Sequence, residues 1–107
     1  MNPYSVKFDS RAVRDGARLP FGIRRRIRAQ LEFLRAAPYR SHPGVQVKEL
    51  AEVRGVWRFH ATTEVRVFYT VIGECLWVVM MARSARVTDK TIRELRKRLV
   101  GPKEPGD

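Results

Sequence analysis

The sequence predicts an α+β fold, and three observations carry that prediction. The chain opens on a strand-like alternation, two segments with helical apolar faces follow, and a run of alternating strands then leads into a last helix. The expected architecture is an N-terminal strand and two helices packed on an antiparallel sheet, followed by a C-terminal helix. The 107 residues suffice for one modest core and are too few for two, so 1–107 is read as a single domain with a flexible tail at 101–107.

Each element has a local cause. Tyr4-Ser5-Val6-Lys7-Phe8 alternates apolar and polar, as a half-buried strand does. Asp9 or Ser10 can cap a short helix over Arg11 to Leu19, which Gly16 weakens. Pro20 breaks the chain. From Phe21 to Ala37, Ile23, Ile27, Leu31 and Leu34 recur at helical spacing, and Pro38 ends the segment. Val45 to Leu50 reads as a short strand. Val56 to Ala61 alternates, with Trp57, Phe59 and Ala61 on one face and Arg58 and His60 on the other. Val65 to Val71 also alternates, and Gly73 marks a turn. Leu76 to Ala82 is apolar on both faces, as expected of a central strand. Thr88 can cap a final helix carrying Ile92, Leu95 and Leu99, which Gly101-Pro102 stops. The helices are expected on one face of the sheet, with part of the other face open.

Composition narrows the function. Lys and Arg number 22 against 11 Asp and Glu, a formal charge of +11 with a pI near 11.0. So strong a positive field on a small domain repels itself and calls for a polyanion or an acidic protein partner. The single Cys75 excludes an intrachain disulfide and fits a reducing compartment. There is no apolar leader-type run at the start, and the longest apolar run, Cys75 to Ala82, is far short of the roughly 20 residues that span a bilayer, so a cytoplasmic location without membrane attachment is expected. No His, Cys, Asp or Glu group stands at metal-ligand spacing, and no cofactor is expected.

The hairpin between the third and fourth strands carries the candidate chemistry. With Thr62-Thr63-Glu64 as its loop, Ala61 faces Val65, His60 faces Arg66 and Arg58 faces Phe68. A slip of one residue would drive arginine into the core, so burial enforces this register. Arg58, His60 and Arg66 then gather on one sheet face. Opposed like charges destabilise a strand pair, and a phosphate held by guanidinium forks would neutralise them. The alternative is a solvated sheet face without a ligand. His60 alone in this group titrates near neutral pH, and flanking arginines should keep it neutral and able to accept a proton. His42 lies in a Ser/Pro/Gly loop and is read as exposed.

Further cations extend the basic surface: Arg24, Arg25, Arg26 and Arg28 on the long helix, and Arg93, Arg96, Lys97 and Arg98 on the last. Both groups fit either a solvated helix face or contact with RNA phosphates, and the second group could also meet an acidic partner. Lys48, Arg54 and Arg83 join Arg24, Arg25 and Arg28 in the expected RNA-binding set. Phe68, on the Arg58 face, is the candidate for base stacking, whereas Trp57 is read as core.

Two stretches, Arg54-Gly55-Val56-Trp57-Arg58-Phe59-His60 and Val65-Arg66-Val67-Phe68-Tyr69, resemble the core of the RelE/ParE-type toxins of bacterial and archaeal toxin–antitoxin modules. The opening Tyr4 to Asp9 with its arginine-rich helix, and the apolar strand leading to Arg83–Arg86 and a last helix, are similar as well, so the resemblance runs from Tyr4 to about Leu99. It implies a microbial-ribonuclease-like fold, a neutralising antitoxin and possible toxin–antitoxin hetero-oligomers. In the RelE-like branch it further implies metal-independent cleavage of messenger RNA on the ribosome and inhibition of translation. The catalytic positions carried over are Arg58, His60, Arg66 and Arg86, with His60 as base. The branch's namesake has lysines where this chain has Arg58 and His60, and a tyrosine near the start of its last helix where this chain has Ile92. Two alternatives stay open: a ParE-like poison of DNA gyrase, and a degenerate toxin that binds RNA without cutting it.

Overall fold

The computed structural model describes residues 3–83 and 86–100, together with the backbone of 105–106. The chain runs β1 (Ser5–Asp9), α1 (Ser10–Ala17), α2 (Phe21–Leu34), β2 (Val47–Glu49), β3 (Val56–His60), β4 (Val65–Ile72), β5 (Cys75–Arg83), α3 (Asp89–Val100) and a two-residue β6 (Pro105–Gly106). The strands form one sheet in the order β2-β3-β4-β5-β1-β6. The α+β class and the order of elements are those read from the sequence. The sheet, however, is mixed rather than wholly antiparallel, because β1 lies parallel to β5, with Ser5 opposite Cys75 and Phe8 opposite Val78. Two helices separate β1 from the hairpins, a crossover long enough to bring the chain back in the parallel sense. Of the tail, 105–106 pairs with β1 instead of trailing loose; 101–104 and 107 lie outside the described residues.

Local chemistry sets the helix ends. Asp9, not Ser10, caps α1: its Oδ1 accepts the Arg11 N–H at 2.9 Å, and its two oxygens also take the Arg11 guanidinium at 2.9 and 2.8 Å. Arg11 outweighs burial and holds the Asp9 carboxyl below its usual range. Thr88 caps α3, its Oγ1 accepting the Thr91 N–H at 3.3 Å. Gly16 has a packing role: a Cβ there would stand 3.2 Å from Met81 Sδ, so a bare backbone lets α1 approach β5. Gly73 turns β4 into β5 at φ 60°.

The hairpin register is the one burial demands. Val56 pairs with Thr70, Trp57 with Tyr69, Arg58 with Phe68, Phe59 with Val67 and His60 with Arg66. One face of the sheet, with Phe59, Ala61, Val65, Val67, Tyr69, Leu76 and Val78, packs beneath Ala12 of α1 and Ile27, Leu31 and Leu34 of α2. The Tyr69 hydroxyl, wholly buried there, donates to the Pro38 carbonyl at 2.5 Å, and burial pushes its ionisation up, so it stays neutral.

The other face is not left bare, contrary to the expectation that all helices share one side. Helix α3 crosses it and buries Ile92 and Leu95 against Val56, Phe68 and Val79, with Leu50 and Val53 from the β2–β3 connection completing a second core. A bulge in β5 makes this possible. Phe68 pairs with Met80 but Tyr69 with Val78, so Val79 is an extra residue that joins Met80 on the α3 side. Phe68 is therefore fully buried and does not stack on bases, which corrects its sequence assignment. A phenyl ring buried this way contributes about 1.5–3 kcal/mol by removal from water. Among the described residues, no helix is long and apolar enough to cross a membrane.

Candidate functional site

Helix α3 covers only part of its sheet face. It sits over Val56, Phe68 and Val79, while His60 and Arg66, one step further along the hairpin, lie outside that core and are half-buried. Cross-strand pairing organises what remains. Lys48 of β2 pairs with Arg58 of β3, and Arg58 with Phe68 of β4; His60 pairs with Arg66, and Arg66 with Ala82 of β5. Directly opposed residues hold their Cβ atoms about 4.5–5.5 Å apart. Lys48, Arg58, His60 and Arg66 thus form a compact basic group at the open end of the face. Among the described residues, no carboxylate, histidine or cysteine cluster could hold a metal ion.

The electrostatics of the group favour a neutral imidazole. The His60 ionisation is held below its ordinary value first by burial, then by the Arg58 and Arg66 charges, while a hydrogen bond to the Thr62 backbone works the other way. Burial is the larger cause, and the arginines that the sequence points to come second. A bond that favours the charged ring is one in which the ring donates, so its second nitrogen is left as acceptor. Burial and the neighbouring Arg58 also pull the Arg66 guanidinium down, without discharging it. The group can therefore accept a proton at His60 and hold negative charge at Arg58, Arg66 and Lys48.

The other sequence-named residues scatter. Arg24, Arg25 and Arg28 are exposed on α2, over the opposite face of the sheet; Arg24 and Arg25 lie 5.9 Å from the Phe21 ring and Arg28 lies 5.8 Å from that of Phe8. Arg54 is exposed in the β2–β3 turn, at the far end of the hairpin from His60. Arg83 pairs with Val65, which puts it on the α1–α2 side, where it lines a cleft with Asp15 and Arg18. Arg86 is exposed between β5 and α3; residues 84–85 beside it lie outside the described residues. Ile92, early in α3, is buried in the second core.

Comparison with known proteins rests on structure alone, since no family model and no curated sequence matches. A mutant of E. coli toxin RelE in the free state superposes with a TM-score of 0.72 at 20% identity, over 92% of this chain and 99% of that one. The fold is that of the RelE toxins. A chain of an archaeal RelE–RelB complex from Pyrococcus horikoshii is similar, with a TM-score of 0.65 at 20% identity, over 79% of this chain and 99% of that one. A chain of the toxin–antitoxin complex RelBE2 from Mycobacterium tuberculosis scores 0.56 at 26% identity, over 76% and 98%. In this RelE-like fold the basic group occupies the part of the sheet that α3 leaves uncovered.

Sequence reasoning missed one residue of this site. Gln30 of α2 is 5% exposed, and its Nε2 donates to the His60 carbonyl at 3.2 Å and to the Gly44 carbonyl at 3.4 Å. The available signal was a glutamine interrupting the apolar stripe of Ile27, Leu31 and Leu34. Arg98 fits none of the three readings open to the basic residues of α3: it is buried and bonded to Asp15, Glu94 and the Val79 carbonyl.

Proposed function

We propose that this protein is the toxin of a toxin–antitoxin pair and acts as a metal-independent endoribonuclease on messenger RNA in the ribosome. The observation that carries the reading is the pairing of His60 with Arg66, flanked by Arg58 and Lys48, where the sheet face is not covered by α3. Neutral His60 takes the proton of a ribose 2′-OH. The 2′-oxygen forms a bond to the adjacent phosphorus, and the bond from phosphorus to the 5′-oxygen breaks. A 2′,3′-cyclic phosphate and a 5′-hydroxyl result, the departing oxygen gaining its proton from water. Arg66 and Arg86 hold the charge that gathers on the phosphorane, and Arg58 positions the phosphate. Arg24, Arg25, Arg28, Lys48, Arg54 and Arg83 supply longer-range attraction to RNA phosphates.

The proposed partners are the ribosome with its message and a cognate antitoxin. A charge of +11 favours an acidic antitoxin segment, and hetero-oligomers of the two would follow. The test is to incubate the purified protein with ribosomes programmed with a defined message and to map the ends produced. Cleavage that an Arg66→Ala, Arg86→Ala double variant loses supports the reading. Intact message, or equal cleavage by the double variant, sinks it.

A second reading, an RNA-binding toxin homologue without cleavage, draws on one observation. Ile92 is enclosed in the second core, so α3 brings no phenol to the site at that position. Salt-sensitive ribosome binding with no cleaved product would favour it.

A further inference from the structure

Helix α2 and the basic group lie on opposite sides of the sheet, yet one side chain links them. The Ala61 N–H bonds the Val65 carbonyl at 2.9 Å, so the backbone groups of His60, one residue earlier, point away from β4 toward the β2 side. There His60 lies just past Val47–Phe59, the first pair of β2 with β3. Gln30 reaches this spot from α2, on the side opposite the imidazole, and its amide group donates to the carbonyls of both His60 and Gly44. With two carbonyls to satisfy, the amide can only present its nitrogen. Its own Oε1 is buried and has no hydrogen-bond partner among the described residues. The orientation is dictated by the two carbonyls, which can only accept.

We infer that Gln30 is a positioning residue for His60, holding the end of β3 so that the imidazole faces the scissile ribose between Arg58 and Arg66. The inference rests on the nuclease reading above. Gln30 does not touch substrate. It sets the height and direction of the His60 backbone, while Thr62 sets the direction of the ring. Because Arg58 is also held by its pairs with Lys48 and Phe68, and Arg66 by its pair with Ala82, losing Gln30 disturbs proton transfer more than phosphate binding.

The test compares Gln30→Met, which keeps the length and loses the donor, with His60→Ala and with Leu34→Ala, a core variant remote from the basic group. Two measurements are made: cleavage of a defined message on programmed ribosomes, and the NMR titration of the His60 ring in the free protein. The expected result for Gln30→Met is a kcat lower by about tenfold to a hundredfold with KM within about twofold, as for a misplaced catalytic group, together with a shifted His60 titration. Leu34→Ala is expected to lose thermal stability and to keep both kcat and the His60 signal. An unchanged His60 titration in Gln30→Met overturns the inference whatever the cleavage rate, as does a kcat loss no larger than that of Leu34→Ala. If the ring shifts but His60→Ala cleaves like the wild type, the catalytic role is overturned through the reading it rests on, and the NMR arm identifies that reading as the part that failed.

Discussion

Arg98 and Asp15 form a two-pronged ion pair, Nη1 to Oδ2 at 2.6 Å and Nη2 to Oδ1 at 3.3 Å, that ties α3 to α1. They meet at the edge of β5 that β1 leaves uncovered beyond Val78. Asp15 Oδ2 also accepts the Met81 N–H at 3.0 Å, and Arg98 Nη1 donates to the Val79 carbonyl at 2.9 Å. Burial pulls the Arg98 ionisation down, but the Asp15 and Glu94 carboxylates outweigh it and the net shift is upward. Two side chains thus stand in for a strand partner at the bulge that sends Val79 to the α3 side.

Arg98→Met removes one partner of a largely buried pair and leaves Asp15 without its bidentate ion partner. The expected cost is about 3–5 kcal/mol, which for a domain of this size lowers the midpoint of thermal unfolding by more than about 10 °C. Glu94→Gln removes the outer, more exposed partner, whose side chain is 35% accessible, and should cost under about 1 kcal/mol. Calorimetry of the two variants checks the order; equal losses would show that Arg98 is not the tie described.

Phe68 and Ile92 meet in the second core, so changes there should read out as stability. Phe68→Ala is expected to destabilise by about 3–5 kcal/mol while RNA affinity of the folded fraction is kept. Ile92→Tyr, which places a phenol early in α3, overpacks the same core at a cost of about 1–3 kcal/mol and should not raise cleavage. Denaturant titrations beside ribosome-binding and cleavage assays separate these effects. A Phe68→Ala protein of normal stability with lost RNA binding would return Phe68 to the stacking role.

On the proposed nuclease reading, the pH dependence of cleavage follows from His60. Its ionisation lies below the ordinary value of 6.5, so the imidazole is a competent base at neutral pH. The rate should therefore hold through pH 6.5 and fall only as pH drops through the lowered value. In Arg58→Gln one of the lowering charges is gone, and the acid limb should move upward, toward 6.5. Single-turnover rates across pH 5–8 measure this; a limb that stays in place in the variant would remove Arg58 from the electrostatics of His60. The same depressed ionisation makes protonation favour the unfolded chain, so any stability that His60 contributes is present at neutral pH and is lost on acidification through its folded-state value.

Arg24, Arg25 and Arg28 project from α2 on the face opposite the basic group. Substituting all three by alanine should weaken ribosome or RNA binding and reduce the slope of log affinity against log salt by about two. Cleavage at saturating protein should change little, because none of the three belongs to the strand group. An unchanged slope would make them a solvated helix face.

The sequence by itself determined the element order, the faces of β3 and β4 and the pairing of His60 with Arg66. Period-two alternation admits one register that keeps arginine out of the core, and that logic is local to a hairpin. The same locality named Thr88 as a cap and narrowed the other to Asp9 or Ser10. It could not reveal that β1 returns parallel to β5, since pairing between distant segments leaves no mark in either. Nor could it place α3. An amphipathic helix announces an apolar stripe without saying which face of the sheet receives it, and the bulge at Val79 that prepares the receiving surface has no signature in an all-apolar strand. The sequence therefore offers Phe68 for base stacking and Arg98 for solvent, RNA or an acidic partner, whereas the tertiary structure buries both. Gln30 illustrates the same divide. A polar residue in an apolar stripe is visible in the sequence, but only the folded chain brings its amide to the His60 carbonyl.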